Sequence, residues 1–299
     1  MRFQEQPDGS LVGVVADAAS FSLPLEVVTV RTEEEEKAAT QASAGAPFDL
    51  AVGPLVRALL LLSSTHAGAT LAITTHHAVG DAWSQAVFGR ELSMAYSAIM
   101  ASEAPAWSLL PIQYADYAAW QQEQLGGAAG AELRGWWKRA LAGAPTLLQL
   151  PLDRARPAKP TFKAGMYRLQ LSEDLLLRVD QAAQRLHINT QAVLLAGLQV
   201  VLSRYSGQDD LVVGVPVAGR DRPETQGLVG YFINTLPVRC TLLEGQTFAD
   251  VAHAASAATL AALEHSMLPL EQIVAAVGVA RTPGANPLFQ VCGPCLGCG

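Results

Sequence analysis

Residues 55–84 read LVRALLLLSSTHAGATLAITTHHAVGDAWS, and three patterns succeed one another along that stretch. Leu55–Leu62 is an apolar run broken only by Arg57. Leu71–His77 is a second run rich in small and β-branched residues, and THAGAT between them has turn composition. The pair predicts a β-hairpin. From Ala82 the period changes, with Ala86, Val87, Leu92, Met94, Ala95 and Ile99 at helical spacing. His76 and His77 therefore fall where a strand ends, and Asp81 falls in or near the turn that starts a helix. Side chains adjacent in a strand point to opposite faces, so the two histidines are expected to have different tasks. One enters a cleft while the other packs or holds the turn.

On the amino-terminal side, residues 9–16 and 26–32 read as strands, and the acidic run Glu33 to Lys37 reads as a solvated first helical turn. On the carboxyl side come two helices, PIQYADYAAWQQEQL from Pro111 and AELRGWWKRALAG closed by Gly143. The proline-rich stretch PLDRARPAKPTFKAG has no periodicity and reads as a linker. MYRLQLS then predicts a strand, and Ser172 caps a helix reaching about Leu186. TQAVLLAGLQVVLSRYS is apolar nearly all round and predicts a buried helix. DLVVGVPVAG and GYFINTLPVRC predict strands, and TFADVAHAASAATLAALEHS an amphipathic helix with Thr247 as its cap. Strands interleave with helices in both halves. The expectation is an α/β protein with lobes at 1–150 and 166–299, joined by residues 151–165.

Lys and Arg number 20 against 27 Asp and Glu, a net charge of −7. That balance argues against a nucleic-acid partner, which needs clustered cations to neutralise phosphates. No apolar run reaches the ~18–20 residues of a membrane span, and the first residues lack a signal-peptide layout. A cytoplasmic protein with no membrane association is expected. Cys292, Cys295 and Cys298 form CxxCxxC at the chain end, but no fourth ligand stands near in sequence. No metal is assigned, and a frayed chain end is expected there.

A neutral imidazole at a strand end can take a proton from a nucleophile or donate a hydrogen bond to a developing oxyanion. Asp81 would brace the turn and fix geometry. Two ordinary polar residues at a strand end is the competing reading of the same pattern. No GxSxG elbow, P-loop or dinucleotide fingerprint is present.

HHAVGDAWS resembles the HHxxxDG motif of the condensation domains of non-ribosomal peptide synthetases, which are related to chloramphenicol acetyltransferase. Four further blocks follow in the family's order. YADYAAW (114–120) resembles YxDYxxW, and VGYFINTLPVR (229–239) resembles GxFxNTxxxR. HSMLPLEQ (265–272) is similar to HxxxPFE, and RTPGANPLFQV (281–291) to the block ending NPLFQ. RYSGQDDLVVGVPVAGRDRPE reads as the strand of the second lobe with its flanks. The resemblance implies two acetyltransferase-like lobes in a V-shaped pseudo-dimer. Donor and acceptor peptidyl carrier proteins would present acyl groups on phosphopantetheine arms, beside an adjoining adenylation domain. The reaction implied is attack of a carrier-bound amine on a carrier-bound thioester, with no metal or bound cofactor.

Carried onto this chain, His77 is the catalytic histidine, as general base or as hydrogen-bond partner. His76, Asp81 and Ala82 support its loop, while Trp83, Ser84, Asn234 and Arg281 are possible tunnel or interface positions. Packing is expected of Tyr114, Tyr117, Trp120, Trp136 and Trp137, and Asn234 and Arg239 are expected to fix a loop or strand. Ordinary roles are expected of His66, His187 and His253.

The chain departs from the family at Ala82, where the motif has glycine, and at both ends. Both lobes are therefore expected to be incomplete, and Asp81 to lack the arginine that pairs with it elsewhere in the family. The competing function is a module that docks carrier proteins without catalysis.

Overall fold

The computed structural model describes the chain except residues 18, 20, 66, 67, 160, 162, 163, 281 and 295–299. The described residues gather into two compact units. The first holds Met1–Leu109 and Gly227–Tyr231, the second Leu110–Gln226 and Phe232–Gly299. The expected lobe boundaries at 150 and 165 do not coincide with this division. The reason is packing: the helix Ala128–Ala140 and the Leu141 that caps it carry Trp137 and Leu141 into the core shared with Val215, Leu236 and Ile273.

In the first unit a short hairpin, β1 (Arg2–Glu5) and β2 (Leu11–Val14), precedes a three-stranded sheet. Strand β3 (Leu25–Val30) runs parallel to β4 (Val56–Ser63), so a crossover must link them. Helix α1 (Glu33–Gly45) supplies it. Thr32 caps that helix by accepting from Glu35 N–H, and its first turn holds four glutamates, which suit the positive end of the helix dipole. β4 pairs antiparallel with β5 (Ala69–Thr75), from Val56 opposite Thr75 to Leu62 opposite Ala69. The expected hairpin is present. The buried apolar cluster here is small: Val30, Leu59 and Leu61, with Val28, Ala39 and Ala72 against it. Helix α2 (Ala82–Met100) follows.

The second unit contains α3 (Tyr114–Gly126), α4 (Ala128–Ala140), α5 (Glu173–Leu186) and α6 (Thr190–Ser206). Strands β6 (Asp210–Val217) and β7 (Asn234–Thr241) pair antiparallel, and α7 (Phe248–Glu264) and α8 (Leu270–Val277) complete it. α6 buries Ala192, Val193, Leu195, Ala196, Gln199, Leu202 and Ser203, as an all-round apolar helix should. β6 takes a further neighbour on its free edge. Gly214 N–H donates to Val291 O (3.0 Å) and Gly293 N–H to Gly214 O (2.7 Å), which makes a parallel bridge to Cys292. The expectation of a frayed end at Cys292 is thus corrected: backbone pairing fixes it. Gly214 is required there, because a Cβ would lie 2.5 Å from the Phe289 ring.

One expected strand is absent. Residues 166–172 carry the alternation of a strand, yet they form no ladder with any described residue, and Tyr167 is 90% exposed. Alternation makes a strand possible, but a neighbouring strand has to satisfy its backbone groups.

Candidate functional site

β5 stops at Thr75. His76 remains extended, and its N–H donates to Leu55 O (3.0 Å). The chain then makes one 3₁₀ turn, His77–Val79, passes through extended Gly80 and Asp81, and enters α2. The expectation that a strand's pleat would separate the two histidines is corrected. A turn separates them, and it does so by assigning their protons.

His77 Nδ1 lies 2.9 Å from Gly80 O. A carbonyl oxygen only accepts, so Nδ1 carries the proton of the neutral ring and Nε2 is left as an acceptor. In His76 the reverse holds: Nδ1 accepts from Ala78 N–H at 3.0 Å, which places the proton of that ring on Nε2. Two adjacent imidazoles thus adopt opposite tautomers because each faces a different backbone group.

Their surroundings differ as well. His76 is half-buried, with the Phe48 ring edge-on at 6.0 Å, and Arg57 stacks over Phe48 at 3.9 Å. The Arg57 guanidinium also donates to the carbonyls of Ala46 and Pro47. His77 is exposed, and the ring of Tyr231 meets it in a T-shape, centroids 5.4 Å apart at 76°.

Asp81 is the N-cap of α2 and is buried. Its Oδ1 accepts from Ser84 N–H (2.8 Å) and from Ser84 Oγ (2.7 Å). The Ser84 hydroxyl also lies 2.8 Å from Gly230 O and accepts from Gly230 N–H at 3.0 Å. Its one proton is shared between Asp81 Oδ1 and Gly230 O, while its lone pair takes the Gly230 amide. Ser84 braces the Asp81 carboxylate. Ser84, expected as a tunnel or interface position, is buried in this network.

Ala82 is the first residue of α2, exposed and helical, so glycine's access to positive φ is not needed there. Trp83 follows it, half-buried. Asn234 belongs to the second unit and opens β7. Its Nδ2 donates to Ser266 O (2.8 Å) and Leu268 O (2.9 Å), and its Oδ1 accepts from Thr235 and Leu270 N–H. That amide staples the 266–270 loop to the strand. Arg239 forms a two-pronged pair with Asp210 at 2.9 and 2.7 Å across β6 and β7, as a strand-fixing residue should. Arg281, His66, Cys295 and Cys298 lie outside the described residues. Burial pushes the Cys292 thiol above its ordinary pKa. Among the described residues, no three His, Cys, Asp or Glu side chains gather as metal ligands would.

The other motif blocks pack against one another within the second unit. Tyr114 and Tyr117 meet Phe232 at 5.1 and 4.8 Å, Arg220 covers the other part of that cluster at 4.0 Å from Phe232, and Arg222 sits over Trp120. Burial, with the Asp221 carboxylate nearby, pushes the Tyr117 phenol up to about 12. His265 stacks on Trp136 at 3.8 Å, and buried Trp137 donates from Nε1 to His265 O. The residue that sequence reasoning missed is Tyr231. It sits at a variable position of a recognised block, and nothing local in the sequence signals its ring partner.

The family profile "Condensation domain" matches residues 1–292. A linear gramicidin synthase from Brevibacillus parabrevis is 40% identical over 288 residues, which is 95% of this chain and 4% of that protein. Phosphinothricin tripeptide synthetase PhsB from Streptomyces viridochromogenes is 41% identical over 249 residues, 83% of this chain and 21% of that protein. Among solved structures, the X-domain from teicoplanin biosynthesis superposes with a TM-score of 0.88 at 29% identity, over 97% of this chain and 64% of its own. The first condensation domain of the calcium-dependent antibiotic synthetase, in complex with a substrate analogue, does so with a TM-score of 0.74 at 23% identity, over 95% and 66%. The chain thus spans a small part of the curated relatives it matches. It shares the mixed α/β fold of the condensation-domain structures, and by the match along nearly its whole length it belongs to the condensation-domain family.

Proposed function

We propose that this domain joins a carrier-bound acyl or peptidyl thioester to the amine of a carrier-bound aminoacyl acceptor, with His77 as the catalytic residue. The observation that carries this reading is the 2.9 Å contact between His77 Nδ1 and Gly80 O. With Nδ1–H committed to Gly80 O, the exposed ring offers Nε2 as an acceptor. That supports proton acceptance from the attacking amine. It disfavours donation to an oxyanion by the neutral ring, which has no second N–H to give.

The amine nitrogen attacks the thioester carbonyl, and the C–N bond forms as the ammonium proton passes to Nε2. When the tetrahedral intermediate collapses, the C–S bond breaks and the departing thiolate takes the proton from the imidazolium. The net products are an amide and a free carrier thiol. The thioester is already activated, so a positioned acceptor suffices and no covalent enzyme intermediate is needed. His76 and Asp81 hold the turn from which His77 projects.

The substrates reach the site on the phosphopantetheine arms of donor and acceptor carrier proteins, with an adenylation domain alongside, in the cytoplasm. The names of the gramicidin and phosphinothricin relatives describe peptide-making synthetases, which supports that setting. Among the described residues no single helix is long and apolar enough to cross a membrane.

The test loads an acyl donor and an aminoacyl acceptor on two carrier proteins and follows amide formation by mass spectrometry. His77→Ala should lower the single-turnover rate by roughly 10²–10⁴-fold, the usual worth of a positioned proton acceptor. Equal product from His77→Ala with carrier binding retained would overturn catalysis in favour of a module that only docks carriers.

A further inference from the structure

We propose that Tyr231 is a positioning residue for His77, and that the Ser84 hydroxyl holds it in place. The inference deepens the reading of His77 given above and rests on it.

The hydrogen bond from Nδ1–H to Gly80 O fixes one edge of the imidazole. A single bond to a carbonyl still lets the ring swing about that line, and Nε2 swings with it. The second constraint is the ring of Tyr231, T-shaped against His77 at 5.4 Å and 76°. Edge-to-face pairs favour a defined mutual orientation. Together the two contacts set the direction in which Nε2 points. Tyr231 remains 44% exposed and His77 is exposed too, so the pair leaves room for a substrate beside it.

Tyr231 is placed through the residue before it in the chain. Its neighbour Gly230 is brought to Ser84 from 146 residues away by two backbone contacts to one hydroxyl, Gly230 N–H at 3.0 Å and Gly230 O at 2.8 Å. Ser84 is 2% exposed, and its hydroxyl is itself oriented by Asp81 Oδ1 at 2.7 Å. Asp81 caps the helix that begins immediately after the His77 turn. A single buried oxygen therefore ties the strand-end turn, the helix start and the Tyr231 backbone together. The aspartate of the motif acts on His77 through Ser84 and Tyr231.

The experiment compares Tyr231→Leu, Tyr231→Phe and Ser84→Ala with the unaltered chain, reading histidine ring resonances by NMR and carrier-dependent kinetics together. His77→Ala assigns the ring signals. Losing the aromatic ring in Tyr231→Leu should move the His77 ring-proton resonances and lower kcat about ten-fold with the acceptor KM unchanged, since misaimed groups lose rate rather than binding. Tyr231→Phe keeps the ring and should restore both. Ser84→Ala should move the same resonances in the same direction. Unmoved His77 resonances in Tyr231→Leu, moved resonances with unchanged kcat, or failure of Tyr231→Phe to rescue would each overturn the proposal. Full activity in His77→Ala would instead sink the reading on which it rests, and that outcome is independent of any resonance shift in Tyr231→Leu.

Discussion

The unit that carries Phe232 and the unit that carries His77 hold their motif residues by different means. In the former, β6 is buried at nearly every position, and one continuous apolar cluster runs through α3–α4, α6, α7, α8 and both strands. Its motif residues are packing elements, Tyr114 and Tyr117 lying against Phe232, and Trp137 outside the blocks is 1% exposed. In the latter the sheet has a buried apolar cluster of Val30, Leu59 and Leu61. The motif residues there are fixed by short polar contacts: Nδ1 of each histidine to backbone, and Asp81, Ser84 and Gly230 around one hydroxyl. Apolar packing is dense and non-directional, whereas hydrogen bonds specify direction. The contrast teaches that the residues which must aim a reactive atom are held by directional bonds, and those which must hold shape are held by volume.

Three substitutions test that contrast, beginning with the largest effect. Trp137→Ala should destabilise the second unit by about 3–5 kcal/mol, because it opens a cavity and leaves His265 O without the indole N–H. Hydrogen exchange should quicken in α3, α4, α7 and α8 while β3–β5 change little. Equal quickening in β3–β5 would break the comparison. Asp81→Ala removes a helix cap and the acceptor for the Ser84 hydroxyl, with an expected cost of about 0.5–2 kcal/mol. Its exchange signature should be confined to the start of α2 and to residues 227–231. Ala82→Gly is the mildest. The residue is helical and exposed, so the change should cost at most about 1 kcal/mol in chemical denaturation and should not raise the amide-forming rate. A rate increase would show that substrate approaches the backbone at that point.

Local features of the fold are legible in the sequence. The hairpin of β4 and β5 follows from two apolar runs around a turn, and Ser172 and Thr247 announce the helices they cap. Asp81 stands at the helix start that its position implies. What escapes is non-local. MYRLQLS has the alternation of a strand, but alternation carries no information about whether a neighbour exists. α8 is visible only as part of a motif. At the site, the pattern puts both histidines on one strand, whereas a 3₁₀ turn intervenes and decides which nitrogen of each ring bears its proton. Ser84 stands out in the motif, but its partner Gly230 lies 146 residues away, and no periodicity links positions so far apart.

The Ser84–Gly230 bond also sets an order of events during synthesis. A ribosome adds roughly 5–20 residues per second, so after Ser84 emerges, on the order of ten seconds pass before Gly230 exists to meet it. Throughout that interval the residues of β3–β5 and the start of α2 have been synthesised, while the histidine loop lacks its distant anchor. The entropic cost of closing a loop grows only with the logarithm of its length, so the span between the two residues delays their contact more than it weakens it.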